Sequence, residues 1–275
     1  MKPAIKVTIL GPTGRLGRAI CAAVLDSPDM ELVGAIVRAE SPRVGQDIGE
    51  MLDRAEAGCL ASVAFEDVLP LSTIVIDASL PAMTVSVAER MAVLPRSCGL
   101  ITGVTGFTTD QTARLETAST RLPILKAGNF SLGIAVVETL VGQAASLPAQ
   151  DWDIEISETH HRHKTDAPSG TALLLGRAAA KQRGVNLDTM AIWSREGVTG
   201  PRKPGAIGFA TSRGGSIVGE HAVRFLSEME ELTISHRAHD RRVFARGAIA
   251  ATHWMCQDGE GREPGLYSMQ DVVRL

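Results

Sequence analysis

The sequence predicts an α/β protein: an N-terminal Rossmann-type parallel sheet with helices on both faces, plus a second α+β domain with a mixed or antiparallel sheet. Three observations lead there. The β-branched run Ile5-Lys6-Val7-Thr8-Ile9-Leu10 stops at a glycine-rich turn, and an amphipathic helical stretch and another apolar strand follow. Short apolar strands then alternate with helical stretches as far as Ala127, the pattern of a parallel sheet covered on both sides. Beyond Asn129-Phe130-Ser131 the pattern changes to strand candidates set between turn signals.

In chain order, the first helix is expected over about Leu16–Leu25, closed by Asp26-Ser27-Pro28, with a second strand over Glu31–Val37. Further strands are expected at Ser62–Phe65, Thr73–Asp77, Leu100–Thr102 and Ile124–Ala127, separated by helices that include Thr84–Val93 and Asp110–Ser119. A helix over Gly133–Ala145 leads into Asp153–Glu158, where apolar and acidic residues alternate as on a half-buried strand. After a polar stretch comes a helix through Thr171–Gln182. A Gly/Pro-rich loop from Gly197 to Gly205 precedes Gly208–Ser212, Ile217–Phe225 and Glu231–Ser235, which read as antiparallel strands, and Val243–Trp254 is helical again. Residues 1–131 and 242–275 are therefore assigned to a dinucleotide-binding domain and 132–241 to a substrate domain.

Bulk properties bound the function. A chain of 275 residues suits two unequal domains, and 44% hydrophobic with 21% charged residues is a globular composition. A formal charge of −3 gives no reason to expect nucleic acid. No apolar run approaches a membrane span, and Met1-Lys2-Pro3-Ala4 runs into the first strand without a leader-like pattern, so a cytoplasmic protein is expected. Cys21, Cys59, Cys98 and Cys256 are far apart and form no CxxC pair, as expected of buried bystander thiols in a reducing compartment.

Gly11-Pro12-Thr13-Gly14-Arg15-Leu16-Gly17 links the first strand to the first helix. Its form is GxxGxxG rather than GxGxxG. Glycines there permit a tight turn and close backbone approach to a pyrophosphate at the positive end of the helix. A plain strand–helix turn also uses glycine; the place of the loop at the start of a βαβ unit favours the dinucleotide. At the end of the second strand, where an acidic residue would read a ribose 2′-hydroxyl, stands Arg38. Its guanidinium suits a 2′-phosphate, with Arg15 in support, so NADPH is the preferred cofactor and NADH the second. An ordinary solvated arginine is the plainer alternative.

The densest chemical signal is Glu158-Thr159-His160-His161-Arg162-His163-Lys164-Thr165-Asp166-Ala167-Pro168-Ser169-Gly170-Thr171-Ala172. Backbone N–H groups of Gly170 and Thr171, with the hydroxyls of Ser169 and Thr171, can hold a carboxylate at a helix N-terminus. Lys164 adds a point charge, and a histidine exchanges protons near neutral pH. Anion capture with proton donation is what reduction of an unsaturated dicarboxylate requires. A metal site is the competing reading of the histidine cluster, but no further Cys or carboxylate has useful local spacing, and none is assigned. A solvated basic loop beside an ordinary helix cap is the other.

The same stretch closely resembles the signature of the dihydrodipicolinate reductase family of lysine and diaminopimelate synthesis. The likeness runs over nearly the whole chain, through Gly103-Val104-Thr105-Gly106-Phe107, Ala127-Gly128-Asn129-Phe130-Ser131, Arg195-Glu196-Gly197, Gly208-Phe209-Ala210 and Gly219-Glu220-His221. It implies reduction of 4-hydroxy-tetrahydrodipicolinate to tetrahydrodipicolinate: the ring loses water, hydride goes to C4, and protonation completes the reaction. It further implies His160 as proton donor, Lys164 as second catalytic and substrate-binding group, and His161, Gly170 and Thr171 as carboxylate binders. The loops Gly11–Gly17, Gly103–Thr105 and Ala127–Phe130 would hold the cofactor, and the second domains would form a homotetramer through their sheets.

Departures from the common pattern lie on the cofactor side. Arg38 replaces a frequent acidic residue, Val104 the first threonine of Gly-Thr-Thr, Gly128 an alanine, and Ser79-Leu80-Pro81 stands for Thr-Arg-Pro. Altered cofactor preference is the expectation. A paralogous reductase of another cyclic imine and a non-catalytic dinucleotide-sensing module are the alternatives.

Overall fold

Val7, Ile9 and Leu10 are fully buried because the strand that carries them, β1 (Ile5–Leu10), has parallel neighbours on both sides. The computed structural model describes residues 3–94, 99–256 and 261–273. These residues form two compact units, one up to Phe130 and from Arg242 onward, the other Ser131–Arg241. Cys98 lies outside the described residues; Cys21 and Cys59 are buried and Cys256 is partly so. Burial pushes all three thiols up, to about 12, 11 and 11, which leaves them unreactive.

The first unit runs β1, α1 (Arg15–Leu25), β2 (Met30–Ile36), α2 (Ile48–Met51), β3 (Ala61–Ser62), α3 (Phe65–Val68), β4 (Ile74–Asp77), α4 (Pro81–Met91), β5 (Gly99–Thr102), α5 (Thr109–Ser119) and β6 (Pro123–Lys126). With a last strand β12 (Gly265–Tyr267) added from the end of the chain, the order is β12-β6-β5-β4-β1-β2-β3, and these strands pair in parallel. The order reverses between β1 and β4. Loops leaving the carboxyl ends of these two strands therefore diverge, which opens the crevice where doubly wound sheets bind ligands. The edge strand β12 (Gly265–Tyr267) beside β6 was not anticipated, because three residues carry too little periodicity to read. The strand expected at Ser62–Phe65 is only Ala61–Ser62, since Phe65 turns into α3 and is buried against Leu69 and Val85 in the core.

The second unit runs α6 (Leu132–Ala144), β7 (Asp153–His160), α7 (Gly170–Gln182), α8 (Leu187–Met190), β8 (Ala191–Ile192), β9 (Ile207–Arg213), β10 (Gly219–Leu226) and β11 (Glu231–Ala238). The chain then returns to the first unit as α9 (Arg242–Met255), β12 and α10 (Met269–Val273). Strand order in the second sheet is β11-β10-β7-β9-β8. Strand β10 is antiparallel to both neighbours, as expected, but β9 is parallel to β7. The intervening chain contains α7, and a helical crossover returns the chain in the same direction.

Alternation on these strands sorts one face of the second sheet into two ends. On β7, Ile154 and Ile156 are buried, and Glu158 and His160 continue the same face. Ile207 and Phe209 are followed on β9 by Thr211 and Arg213. On antiparallel β10 the sequence is reversed, with Gly219 and His221 preceding Val223 and Phe225. The apolar ends pack with Val137, Val141, Leu175 and Ala179 of α6 and α7 into one core. The polar ends fall together because the register pairs Glu158 with His221 and Thr211, and His160 with Arg213.

Candidate active site

The first unit gathers its glycine loops at the carboxyl edge of its sheet. Gly11 adopts φ +74°, and a Cβ there would lie 2.8 Å from the Ala78 carbonyl oxygen. Gly17 is packed more tightly: its Cβ would lie 2.0 Å from the Gly11 carbonyl oxygen. These two glycines are required by the turn itself. Gly14 is different, because a Cβ there would meet only the Gly11 oxygen at 3.7 Å, an ordinary contact. It is the N-cap of α1, no side chain caps that end, and the first turn holds no acidic residue. The N–H groups of this turn therefore suit an anion, and the bare Gly14 lets it approach the backbone.

Pro12 is buried; Thr13, Gly14 and Arg15 are exposed around it. Arg38 follows β2, and the side chains of Arg15 and Arg38 are exposed and have no ion pair or hydrogen bond among the described residues. A cavity of about 220 Å³ is lined by Leu16, Gly103, Ala127, Gly128, Asn129, Phe130 and Phe244. It brings together all three loops named from sequence, and adds Phe244 from α9. Phe130 is wedged in place: a Cβ on Gly103 would lie 2.4 Å from its ring, and one on Gly247 only 1.7 Å from its carbonyl oxygen.

Buried Asp77 shapes the loops beside this cavity. It accepts hydrogen bonds from Ser79 N and Oγ, Thr84 Oγ1 and Thr102 Oγ1, and Thr102 Oγ1 in turn accepts from Val104 N–H. Val104 is thereby fixed and buried while Thr105 is exposed. The groups present fit a dinucleotide: a bare helix start, a glycine turn and a largely apolar cavity large enough for part of a nicotinamide.

In the second unit, the polar end of the sheet is organised by Glu158, which is 2% exposed. His160 Nδ1 lies 2.5 Å from Glu158 Oε2. Arg213 donates to both carboxylate oxygens at 2.9 Å, and Ser169 N–H donates to Oε1 at 3.0 Å. Thr211 Oγ1 adds a contact at 3.3 Å. Burial pushes the Glu158 carboxyl up, but Arg213, His160 and the Ser169 N–H outweigh it and hold it below the usual range, ionised at neutral pH. Burial pulls the His160 imidazole down and outweighs the contact with Glu158 that raises it.

Ser169 caps α7, accepting from Ala172 N–H at 3.1 Å, and its hydroxyl meets His221 Nε2 at 3.1 Å. It is 2% exposed, so its hydroxyl is committed to the cap and to His221, whereas the sequence had assigned it to an anion. Gly170 is exposed at the start of the helix and Thr171 is buried. The His221 ring stands edge-on to His160 with centroids 5.0 Å apart, and burial pulls it down to about 4, so it is neutral. Lys164 Nζ lies 2.8 Å from both oxygens of Asp166. His161 is half-buried, its ring 6.3 Å from that of His163. Among the described residues no group of His, Cys, Asp or Glu is arranged to hold a metal ion.

Sequence reasoning did not single out Glu158, Arg213 or His221 as site residues. The period-two alternation of β7, β9 and β10 carried the signal, since each polar residue continues an apolar face.

A parallel doubly wound sheet with a glycine turn at an uncapped helix start is the build of a dinucleotide-binding domain, and with the matches that follow it makes the chain an NAD(P)H-dependent oxidoreductase. Family models described as dihydrodipicolinate reductase, N-terminus, and dihydrodipicolinate reductase, C-terminus, match residues 5–130 and 133–273. The chain belongs to the dihydrodipicolinate reductase family. It is 48% identical over 274 residues to the 4-hydroxy-tetrahydrodipicolinate reductase of Caulobacter vibrioides, covering 99% of this chain and 98% of the relative. It is 44% identical to that of Parvibaculum lavamentivorans, covering 98% of each. In fold it is similar to a dipicolinate-bound dihydrodipicolinate reductase from Paenisporosarcina sp. TG-14, with a TM-score of 0.75, 21% identity and 98% of both chains covered. No described helix is long and apolar enough to cross a membrane.

Proposed function

We propose that the chain reduces 4-hydroxy-tetrahydrodipicolinate to tetrahydrodipicolinate, with NADPH as preferred donor and NADH as second, in the cytoplasm and as a homotetramer. The observation that carries the reading is the arrangement of His160, backed by buried Glu158, beside the Ser169-capped start of α7 and close in sequence to Lys164. When bound, the dinucleotide supplies the hydride. His160 gives the proton. Lys164 and the first-turn N–H groups of Gly170 and Thr171, with His161, hold the carboxylates of a small dicarboxylate and orient its ring. In the first unit, Gly11, Pro12, Thr13, Gly14, Arg15, Leu16 and Gly17 receive the pyrophosphate. Gly103, Val104, Thr105, Ala127, Gly128, Asn129 and Phe130 surround the nicotinamide end.

With substrate generated in situ from pyruvate and aspartate semialdehyde, NADPH oxidation is expected only when both precursors and the enzyme that condenses them are present. Absence of turnover with either dinucleotide overturns the reading. A much higher kcat/KM on another cyclic imine assigns the chain to a paralogue, and dinucleotide binding without turnover on any imine to a sensing module.

Arg38 and Arg15 support the NADPH preference, because both side chains are exposed and have no ion pair or hydrogen bond among the described residues. Arg38→Asp is expected to remove one charged contact to the 2′-phosphate, about 1.5 kcal/mol or roughly tenfold in Kd at an exposed site. NADH binding should hold or improve, since Asp accepts from a 2′-hydroxyl. Titration with both dinucleotides measures this; equal weakening of both assigns phosphate recognition elsewhere.

A further inference from the structure

We infer that Glu158 is a positioning residue that acts through His160, fixing the Nδ1 proton on the carboxylate side and presenting Nε2 to the substrate, while Arg213 sets the strength of that grip. The inference rests on His160 being the proton donor. Glu158 is an acceptor-only group when ionised, so the 2.5 Å contact places a proton on His160 Nδ1. The opposite nitrogen, Nε2, points towards Gly219, where a Cβ would stand 3.0 Å from it. The absence of a side chain at 219 leaves that nitrogen uncrowded. After giving its Nε2 proton to the substrate, His160 ends neutral with Nδ1–H still held by Glu158, so neither ring orientation nor tautomer has to change during turnover.

The same carboxylate reaches the other arm of the site. Its Oε1 accepts from Ser169 N–H, immediately before the helix start assigned to the substrate carboxylate. One buried carboxylate therefore ties the proton donor on β7 to the N-cap of α7. The groups facing His160 come from every neighbouring element: Glu158 on its own strand, Lys164 with Asp166 after it, Arg213 on β9 and His221 on β10, with His236 behind His221 on β11. Among them only Glu158 contacts the ring nitrogen as an anion. Arg213 works against the imidazolium by its own charge and by neutralising Glu158.

Opposite changes follow for two substitutions. Glu158→Gln removes the anion that favours the imidazolium, so activity that needs protonated His160 should be lost at lower pH than in the wild type. At neutral pH kcat should fall about tenfold or more, with dinucleotide Kd unchanged. Arg213→Met removes a repelling cation, and the same limb should move to higher pH. A purely structural role for Glu158 and Arg213 would lower activity in both variants without shifting the two profiles in opposite directions. Histidine 15N chemical shifts, assigned by comparison with His160→Gln, should show the neutral wild-type ring protonated at Nδ1.

Wild-type profiles in both variants, or a neutral ring protonated at Nε2, overturn the inference. Should Glu158→Gln fail to fold, the Arg213→Met profile and the wild-type 15N shifts decide. If His160→Gln is inactive while the Glu158 and Arg213 profiles do not move, positioning by Glu158 fails and the proton donor stands. Wild-type rates in His160→Gln would instead remove the proposed function.

Discussion

His160→Gln is expected to lower kcat by about 10²–10⁴-fold, the usual contribution of a positioned general acid. Glutamine keeps much of the imidazole's size and can still meet Glu158, so the loss would reflect the missing proton and not a collapsed strand end. Lys164→Ala should cost about 10²–10³-fold, because a fixed cation near a dianion is most effective where charge develops. Lys164 is one-fifth exposed and paired with Asp166, so its Nζ is oriented before any ligand arrives. Both substitutions lie in the second unit, and NADPH affinity should be unchanged. Steady-state kinetics with substrate formed in situ, together with dinucleotide titration, test this. Two variants with wild-type kcat would remove the chemistry assigned to the stretch from Glu158 to Ala172.

What could be read from sequence was chemistry concentrated in short segments. The Gly11–Gly17 turn declares itself because three glycines follow a β-branched run. The stretch after β7 does so because His160, Lys164 and the Ser169 cap lie within ten residues. What could not be read depends on register. Arg213 meets Glu158 from 55 residues away and His221 meets Ser169 from 52, contacts that exist only once β9 and β10 flank β7. Glu158 itself was in plain view, but an acidic residue on an alternating strand is ordinarily taken as solvated, and its burial becomes intelligible only with its partners. Phe244 shows the same limit from the other side. It reaches the cavity lined by Gly103 and Phe130 only because α9 returns to the first unit after the whole second unit has been traversed. The direction of β9 was misjudged because its alternation carries no sign; the α7 crossover supplies it.

Ser169 illustrates how packing reassigns a group whose type was rightly noticed. Its hydroxyl is consumed by Ala172 N–H and His221, so the anion-holding capacity of the α7 start rests on backbone N–H groups and not on that side chain. Backbone donors in the first helical turn are fixed by the fold and need no ordering on binding, which suits recognition of a small, rigid dicarboxylate.

The second large effect is expected at the glycine turn, where two alanine substitutions should separate folding from dinucleotide recognition. Alanine is intrinsically the better helix residue by about 0.8–1.0 kcal/mol, so propensity alone favours Gly17→Ala inside α1. Sterics oppose it: the new Cβ would lie 2.0 Å from the Gly11 oxygen and 3.0 Å from Pro12 Cα, both backbone atoms of a turn whose Gly11 N–H donates to the Ile36 carbonyl. Overpacking of this kind costs about 1–3 kcal/mol and outweighs the propensity gain, and it displaces the loop that would receive the pyrophosphate. Gly17→Ala should therefore lower Tm by several degrees and weaken NADPH binding by at least about tenfold. Gly14→Ala meets only one ordinary contact, so its Tm should match the wild type. Its NADPH affinity should nonetheless fall, because the methyl group occupies the approach to the uncapped first turn of α1. Thermal unfolding and dinucleotide titration on the two variants decide the point: unchanged NADPH affinity in both would mean that this turn does not hold the pyrophosphate.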